Sequence, residues 1–141
     1  MKLFVDTWGW LILADPRSPQ FQAATQCYRE RASTPGRILT SDYVLDEVIT
    51  GIFSHRPFPR AAEFVEGILA SCEKRAIVLH RVTEDRFAGA MRLRLRLTDK
   101  PRISFTDLTS MVIMEELSTT DILTADSDFR NVGLGFRTFP D

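Results

Sequence analysis

The stretch Ser104–Phe129, SFTDLTSMVIMEELSTTDILTADSDF, holds two apolar elements, each with an acid at the same end. Ser104 is a good helix N-cap, and Asp107 completes a capping-box-like start. Leu108, Met111, Val112, Met114 and Leu117 recur at helical spacing, with Ile113 thickening the stripe. Ser118-Thr119-Thr120 breaks the helix, and Ile122-Leu123-Thr124 reads as a short buried strand leading into Ala125-Asp126. A helix of about 13 residues is roughly 20 Å long, and five strand residues cover about 16 Å. The chain therefore climbs the helix, turns at the threonines and returns along the strand, bringing Asp107 and Asp126 to one edge. A helix N-terminus favours one carboxylate through its free N–H groups and its dipole. Several converging carboxylates call for a divalent cation.

The rest of the chain alternates in the same way. Leu3-Phe4-Val5 is a short apolar run ending in Asp6, and Thr7–Ala14 reads as an apolar helix. Asp15–Pro19 is a loop, Phe21–Ala32 a second helix and Ile38-Leu39-Thr40 a second strand. Ser41 caps a helix to about Phe53 with the stripe Val44, Leu45, Val48, Ile49 and Ile52. A Pro-rich break at His55–Pro59 precedes a helix over Ala61–Cys72, and Ala76–His80 is a third strand. Thr83 caps a helix to about Leu97, Thr98–Arg102 is a loop, and a final strand covers Phe136–Phe139. Apolar strands alternating with helices predict an α/β fold: one three-layer α/β/α domain over residues 1–141 with a mainly parallel sheet.

Open parallel sheets bind ligands beyond the carboxyl ends of their strands. Asp6 ends the first strand, and Asp126 follows the strand at Ile122–Thr124. Asp107 opens the preceding helix, and an acid about two turns into the helix after strand two completes a rim. Asp46 and Glu47 flank the apolar stripe there on either side, so periodicity leaves the choice between them open. Asp126 competes with Asp128, while Asp121 reads as solvating a turn. Each acid also has a plain structural reading, Asp6 as a turn former and Asp107 as a cap. Four acids on one rim supply oxygen ligands for Mg²⁺ or Mn²⁺, a set suited to phosphodiester hydrolysis.

Net charge is −1, so any grip on nucleic acid has to come from a local basic patch. Cys27 and Cys72 match no metal spacing and read as reduced core thiols of a cytoplasmic protein. Met1-Lys2 before LFVDTWGWLILA loosely resembles a signal peptide. Asp6 interrupts that run, and Ala14-Asp15-Pro16 is a poor cleavage site. The run is also too short and too charged to span a membrane, so it is expected to be a core strand and helix.

Four segments, FVDTWGWL, TSDYVLDEVITGI, SFTDLTSMVIM and ILTADSDF, resemble in order the acidic motifs of the PIN-domain ribonucleases. The likeness is strongest to the toxin halves of VapBC-type toxin–antitoxin pairs, and it runs over nearly the whole chain. The resemblance implies a Mg²⁺- or Mn²⁺-dependent endoribonuclease that leaves a 5′-phosphate and a 3′-hydroxyl. Asp6, Glu47, Asp107 and Asp126 take the family's four acidic positions as catalytic and metal-binding residues. Glu47 is thereby preferred over Asp46, and Asp128 is a secondary metal ligand. Thr7, Ser104 and Thr124 fall where the family orients its ligands. An RNA substrate, an antitoxin partner and a homodimer are implied as well.

Neither histidine lies in the four segments, which argues against a histidine-pair nuclease; His55 and His80 read as surface or strand-end residues. Met91–Arg102, MRLRLRLTDKPR, is a candidate RNA grip, with Arg92 and Arg96 on one helix face and Arg94 elsewhere. Its alternative is a solvated helix face. Arg56 and Arg60 are further candidates. Alternative functions are an RNA-processing nuclease outside toxin systems and a non-catalytic nucleic-acid or protein-binding module with a vestigial acidic cluster. A haloacid-dehalogenase-type phosphatase would need a second Asp two residues after the first, where this chain has Trp8.

Overall fold

The computed structural model describes residues 1–140. Its elements follow in the order β1 (Leu3–Val5), α1 (Thr7–Leu13), α2 (Phe21–Ala32), β2 (Ile38–Ser41), α3 (Asp42–His55) and α4 (Phe58–Glu73). Then come β3 (Ile77–His80), α5 (Glu84–Arg96), α6 (Phe105–Glu116), β4 (Asp121–Leu123), α7 (Asp128–Asn131) and β5 (Arg137–Phe139). The five strands pair in the order β3-β2-β1-β4-β5, and every pair is parallel. From β1 the chain steps outward to β2 and β3, then returns across the sheet to β4 and β5. The order therefore reverses between β1 and β4, and a crevice opens there beyond the carboxyl ends of the strands. α1–α4 pack in sequence against one another, and α5 packs on α6, so helices flank the parallel sheet in an α/β/α arrangement.

The caps read from the sequence are made. Ser41 Oγ accepts from Val44 N, Thr83 Oγ1 from Arg86 N, and Ser104 Oγ from Asp107 N. Ser118, at φ 52° in the left-handed region, reverses the chain after α6. The Pro-rich break is narrower than expected. α3 continues to His55 and α4 already starts at Phe58, because Pro59 occupies the first turn, where its missing N–H costs nothing.

Leu3, Phe4, Val5, Ile122 and Leu123 are wholly buried, so the two strands flanking the crevice are the centre of the core. A buried polar chain ties the surrounding layers to them. Trp10 Nε1 donates to Thr40 Oγ1 at 3.0 Å, and that hydroxyl donates to the Val5 carbonyl at 3.1 Å. Gly9 lets α1 lie directly on this centre, since a Cβ there would stand 2.7 Å from the Leu123 carbonyl oxygen.

Asp121 does not solvate a turn. It is 1% exposed at the start of β4, where Oδ2 accepts from Arg31 Nη2 at 3.1 Å and Oδ1 from Arg137 Nε at 2.9 Å. β4 begins one residue earlier than the apolar run because these two guanidinium groups make burial of that carboxylate tolerable. Phe129, placed in a turn, is fully buried in the short helix α7. Cys27 and Cys72 are free thiols.

Candidate active site

The crevice between β1 and β4 draws its acids from separate elements. Asp6 follows β1 directly and caps α1, with Oδ1 accepting from Gly9 N at 2.9 Å. It is 5% exposed. Burial pushes its carboxyl up to about 7; hydrogen bonds from Thr124 and Gly9 oppose that rise, and the charges of Asp126 and Glu47 add to it.

Glu47 reaches the same place from α3. Thr7 Oγ1 donates to Glu47 Oε1 at 2.6 Å, whereas Asp46 is exposed on the solvent side of the helix. Ser41 sets the phase of α3 by its cap, and Thr7, one residue after Asp6, catches the acid that phase turns inward.

Asp107 stands in the first turn of α6, its N–H held by Ser104 Oγ at 3.1 Å. Its carboxyl is pushed up to about 7, first by burial and then by the charges of Asp6, Asp126 and Glu47. Proximity of the Asp126 carboxyl adds to that rise.

Asp126 follows β4. Its N–H donates to Thr124 Oγ1 at 3.0 Å, and its Oδ1 accepts from Asp128 N at 2.9 Å. Thr124 thus touches both Asp6 and Asp126 across the crevice. Asp128 opens α7 beside Asp126. Its carboxyl is raised by burial and by Asp126, with Lys100 opposing the rise.

Asp6, Glu47, Asp107 and Asp126 are therefore within electrostatic reach of one another, and Asp128 joins through Asp126. Among the described residues, no three His, Cys, Asp or Glu side chains stand as a ready-made coordination shell. The donor set is nonetheless wholly oxygen, and it is held in a geometry where two acids retain protons near neutrality. Such a set suits a hard divalent cation, whose charge would replace those protons.

The basic residues divide as the helix spacing predicts, with Arg94 apart from Arg92 and Arg96. Arg92, Arg96 and Arg102 are exposed. Arg94 turns back on the loop after α5, donating to the carbonyls of Leu97 at 2.7 Å, Lys100 at 2.6 Å and Ile103 at 3.3 Å. No sequence signal marks that role, because carbonyl acceptors can belong to any residue. Arg56 pairs with Asp15 at 3.2 Å, His55 bonds the Gly51 carbonyl, and His80 lies beside Arg86. On the α1–α4 face, Trp10, Leu13, Tyr28, Phe64 and Ile68 line an apolar cleft of about 520 Å³, with Arg56 and Arg60 also in its wall. Among the described residues, no helix is long and apolar enough to cross a membrane.

At family level, residues 3–134 match the PIN domain. Comparison with curated protein sequences found no match. Among solved structures, VapC20 of Mycobacterium tuberculosis, a Sarcin-Ricin loop cleaving toxin, superposes with a TM-score of 0.74 at 24% identity. That alignment covers 94% of this chain and 95% of VapC20. VapBC2 from Rickettsia felis, bound to a DNA fragment from its promoter, gives 0.73 at 15% identity over 98% and 97% of the two chains. The DNA-bound VapBC of Salmonella typhimurium gives 0.72 at 15% identity over 98% and 96%. At these identities the likeness is one of fold.

Proposed function

The chain belongs to the PIN domain family, and on that premise we propose that it is a metal-dependent endoribonuclease, the toxin of a toxin–antitoxin pair. One observation carries the reading: beyond the ends of β1 and β4 the carboxyls of Asp6 and Asp107 are both pushed up to about 7, chiefly by burial, with the charges of Glu47 and Asp126 adding to each. Scattered structural acids would have no reason to meet where the strand order reverses.

In this reading Asp6, Glu47, Asp107 and Asp126 hold Mg²⁺ or Mn²⁺, with Asp128 as an additional ligand. A cation so held polarises the phosphoryl group and lowers the pKa of a bound water. The chain's own residues do the positioning. Thr7 fixes Glu47, Ser104 fixes the backbone that presents Asp107, and Thr124 holds the loop of Asp126 against Asp6. Asp6 and Asp107 give up protons as the site loads. Burial of Asp6 weakens solvent screening at its own carboxylate, so its attraction for a bound cation would exceed that of a surface acid.

The partner reading follows from the VapBC fold relatives. An apolar antitoxin segment is proposed to fill the cleft of Trp10, Leu13, Tyr28, Phe64 and Ile68. A homodimer would cover exposed apolar side chains such as Phe53, Phe58 and Leu95.

The test is RNA cleavage with and without Mn²⁺, for wild type and Asp6→Asn, with end-group analysis of the products. Mn²⁺-dependent products bearing 5′-phosphates, absent from the variant, are expected. If Mn²⁺ gives neither cleavage nor thermal stabilisation, the acids are structural and the chain is a binding module.

A further inference from the structure

The parallel sheet has a second edge, opposite the acids, where every strand begins. Register fixes what stands there. Leu3 pairs with Ile38 and Ile38 with Ile77, so Lys2, Arg37 and Ala76 are neighbours one step before their strands. Leu3 N donates to the Arg37 carbonyl at 2.8 Å, and Gly36 N to the Ala76 carbonyl at 3.1 Å. Arg75 immediately precedes Ala76, and Arg137 opens β5 opposite Asp121. With strands about 4.8 Å apart, these cations are spread along an edge of roughly 19 Å from β3 to β5.

Lys2, Arg37 and Arg75 are exposed, and among the described residues none of them is in an ion pair. Arg137 and Arg31 share the single carboxylate of Asp121, so that group leaves one positive charge over, and the Arg137 side chain is 57% exposed. In a chain of net charge −1 this is a concentration of cations, set against the carboxylates at the far ends of the same strands. Two hollows lie along the edge. Arg31, Thr34 and Arg37 line one of about 320 Å³, and Lys2, Ser118, Thr119 and Thr120 line another of about 260 Å³. Thr119 is 4% exposed, and its hydroxyl finds no hydrogen-bond partner among the described residues. Of the exposed large apolar side chains only Met1 borders the two hollows. A docked protein segment would call for apolar anchors there, whereas a row of cations and hydroxyls suits successive phosphates.

We infer that this edge is a second RNA-binding surface, which holds the sugar–phosphate backbone of the substrate at a distance from the bond being cut. The inference rests on the ribonuclease reading. Strands of three or four residues, about 3.3 Å each, separate the two edges. Only an RNA long or folded enough to pass round the domain engages both, and its affinity then gains from the second contact.

The experiment measures RNA binding in Mn²⁺ against salt concentration, in the Asp6→Asn background so that no strand is cut. Two RNAs are compared, a short single strand and a hairpin of several helical turns. The combined variant Lys2→Met, Arg37→Met, Arg75→Met is expected to weaken hairpin binding at least ~10-fold near 0.1 M salt and to flatten its log–log salt slope by about 2, at roughly 0.7 per phosphate contact. Arg37→Met alone should flatten it by about 0.7. Binding of the short strand should not change, and Lys2→Arg, Arg37→Lys, Arg75→Lys should keep the hairpin slope. With Asp6 restored, the combined methionine variant should raise KM for the hairpin and leave kcat as in wild type. An unchanged hairpin slope in the methionine variants overturns the inference. So does an equal loss on both RNAs, which would reduce the edge to a general field. Loss of poly-glutamate binding with RNA affinity intact would assign the edge to an acidic protein and overturn it as well. A wild type that neither binds nor cuts RNA overturns the ribonuclease reading and this inference with it. A wild type that cuts RNA, beside an unaffected combined variant, overturns the inference alone.

Discussion

Thr7 and Glu47, 40 residues apart in sequence, meet in one hydrogen bond of 2.6 Å in which the threonine hydroxyl donates. Because Thr7 follows Asp6 directly, that bond fixes the second acid relative to the first. Thr7→Val keeps the shape and removes the donor. Cleavage should fall about 10-fold, or ~1.4 kcal/mol in transition-state stabilisation, with most activity kept in Thr7→Ser. Equal rates for Thr7→Val and wild type would mean that Glu47 is held by something else.

Asp6→Asn, Asp107→Asn and Asp126→Asn should each abolish Mn²⁺-dependent RNA cleavage and leave the fold intact by circular dichroism. Metal-free, each should unfold at a temperature no lower than wild type, because a mutually repelling carboxylate has gone. Wild-type-like cleavage by any two of the three would remove the basis for the four-acid site.

The raised carboxyls set a pH dependence. Asp6 and Asp107 titrate at about 7 in the fold against 3.8 for the free group, so between those values the native state binds more protons than the unfolded chain. Their contribution to stability is complete below about 3.8 and is lost as pH rises through about 7, on the order of a few kcal/mol for the pair. Denaturant titrations of metal-free protein should show stability dropping over that window, with a smaller drop in Asp6→Asn. Apparent Mn²⁺ affinity should rise across it, because the protons must leave first. Parallel curves for wild type and variant would contradict the assignment.

Asp126 and Asp128 should differ in kind. Asp126 faces Asp107 and receives the Asp128 N–H, whereas Asp128 touches the group only through Asp126. Asp126→Ala should cost at least ~10-fold more activity than Asp128→Ala. Raising Mn²⁺ should partly rescue only the latter. An Asp128→Ala variant that stays dead at saturating Mn²⁺, beside an active Asp126→Ala, would reverse the two roles.

Gly9 offers a test of the scaffold beneath the acids. A methyl group there would meet the Leu123 carbonyl at 2.7 Å and Val5 Cγ1 at 2.9 Å, forcing α1 off the central strands. Gly9→Ala should destabilise by about 1–3 kcal/mol and loosen the Asp6 cap, lowering Mn²⁺ affinity. Gly67, in α4, has nothing within 4 Å of its added carbon, so Gly67→Ala should stabilise by up to ~1 kcal/mol. Thermal melts of both variants, with and without Mn²⁺, decide the matter.

Elements with local causes were readable from the sequence. Ser41, Thr83 and Ser104 announce helices through a chemistry confined to one turn, and the apolar runs Leu3–Val5 and Ile122-Leu123 announce buried strands. What depended on distant partners was not readable. Periodicity left Asp46 and Glu47 open, and the hydroxyl that separates them lies 40 residues away. Asp121 resembled a turn residue because its counter-ions, Arg31 and Arg137, sit 90 and 16 residues from it. The place of β4 beside β1, which makes the crevice, is likewise a pairing between remote segments.

Asp121 has a bearing on the rim at the opposite end of its strand. Arg31 from α2 and Arg137 from β5 clamp it where β4 begins, and the same run of chain delivers Thr124 and Asp126 at its other end. The clamped carboxylate is the zero mark of a ruler whose graduations are strand residues, about 3.3 Å each. A slip of one graduation would turn every side chain along β4 to the opposite side of the sheet. Two arginines remote from the crevice thereby decide the height at which its carboxylates emerge.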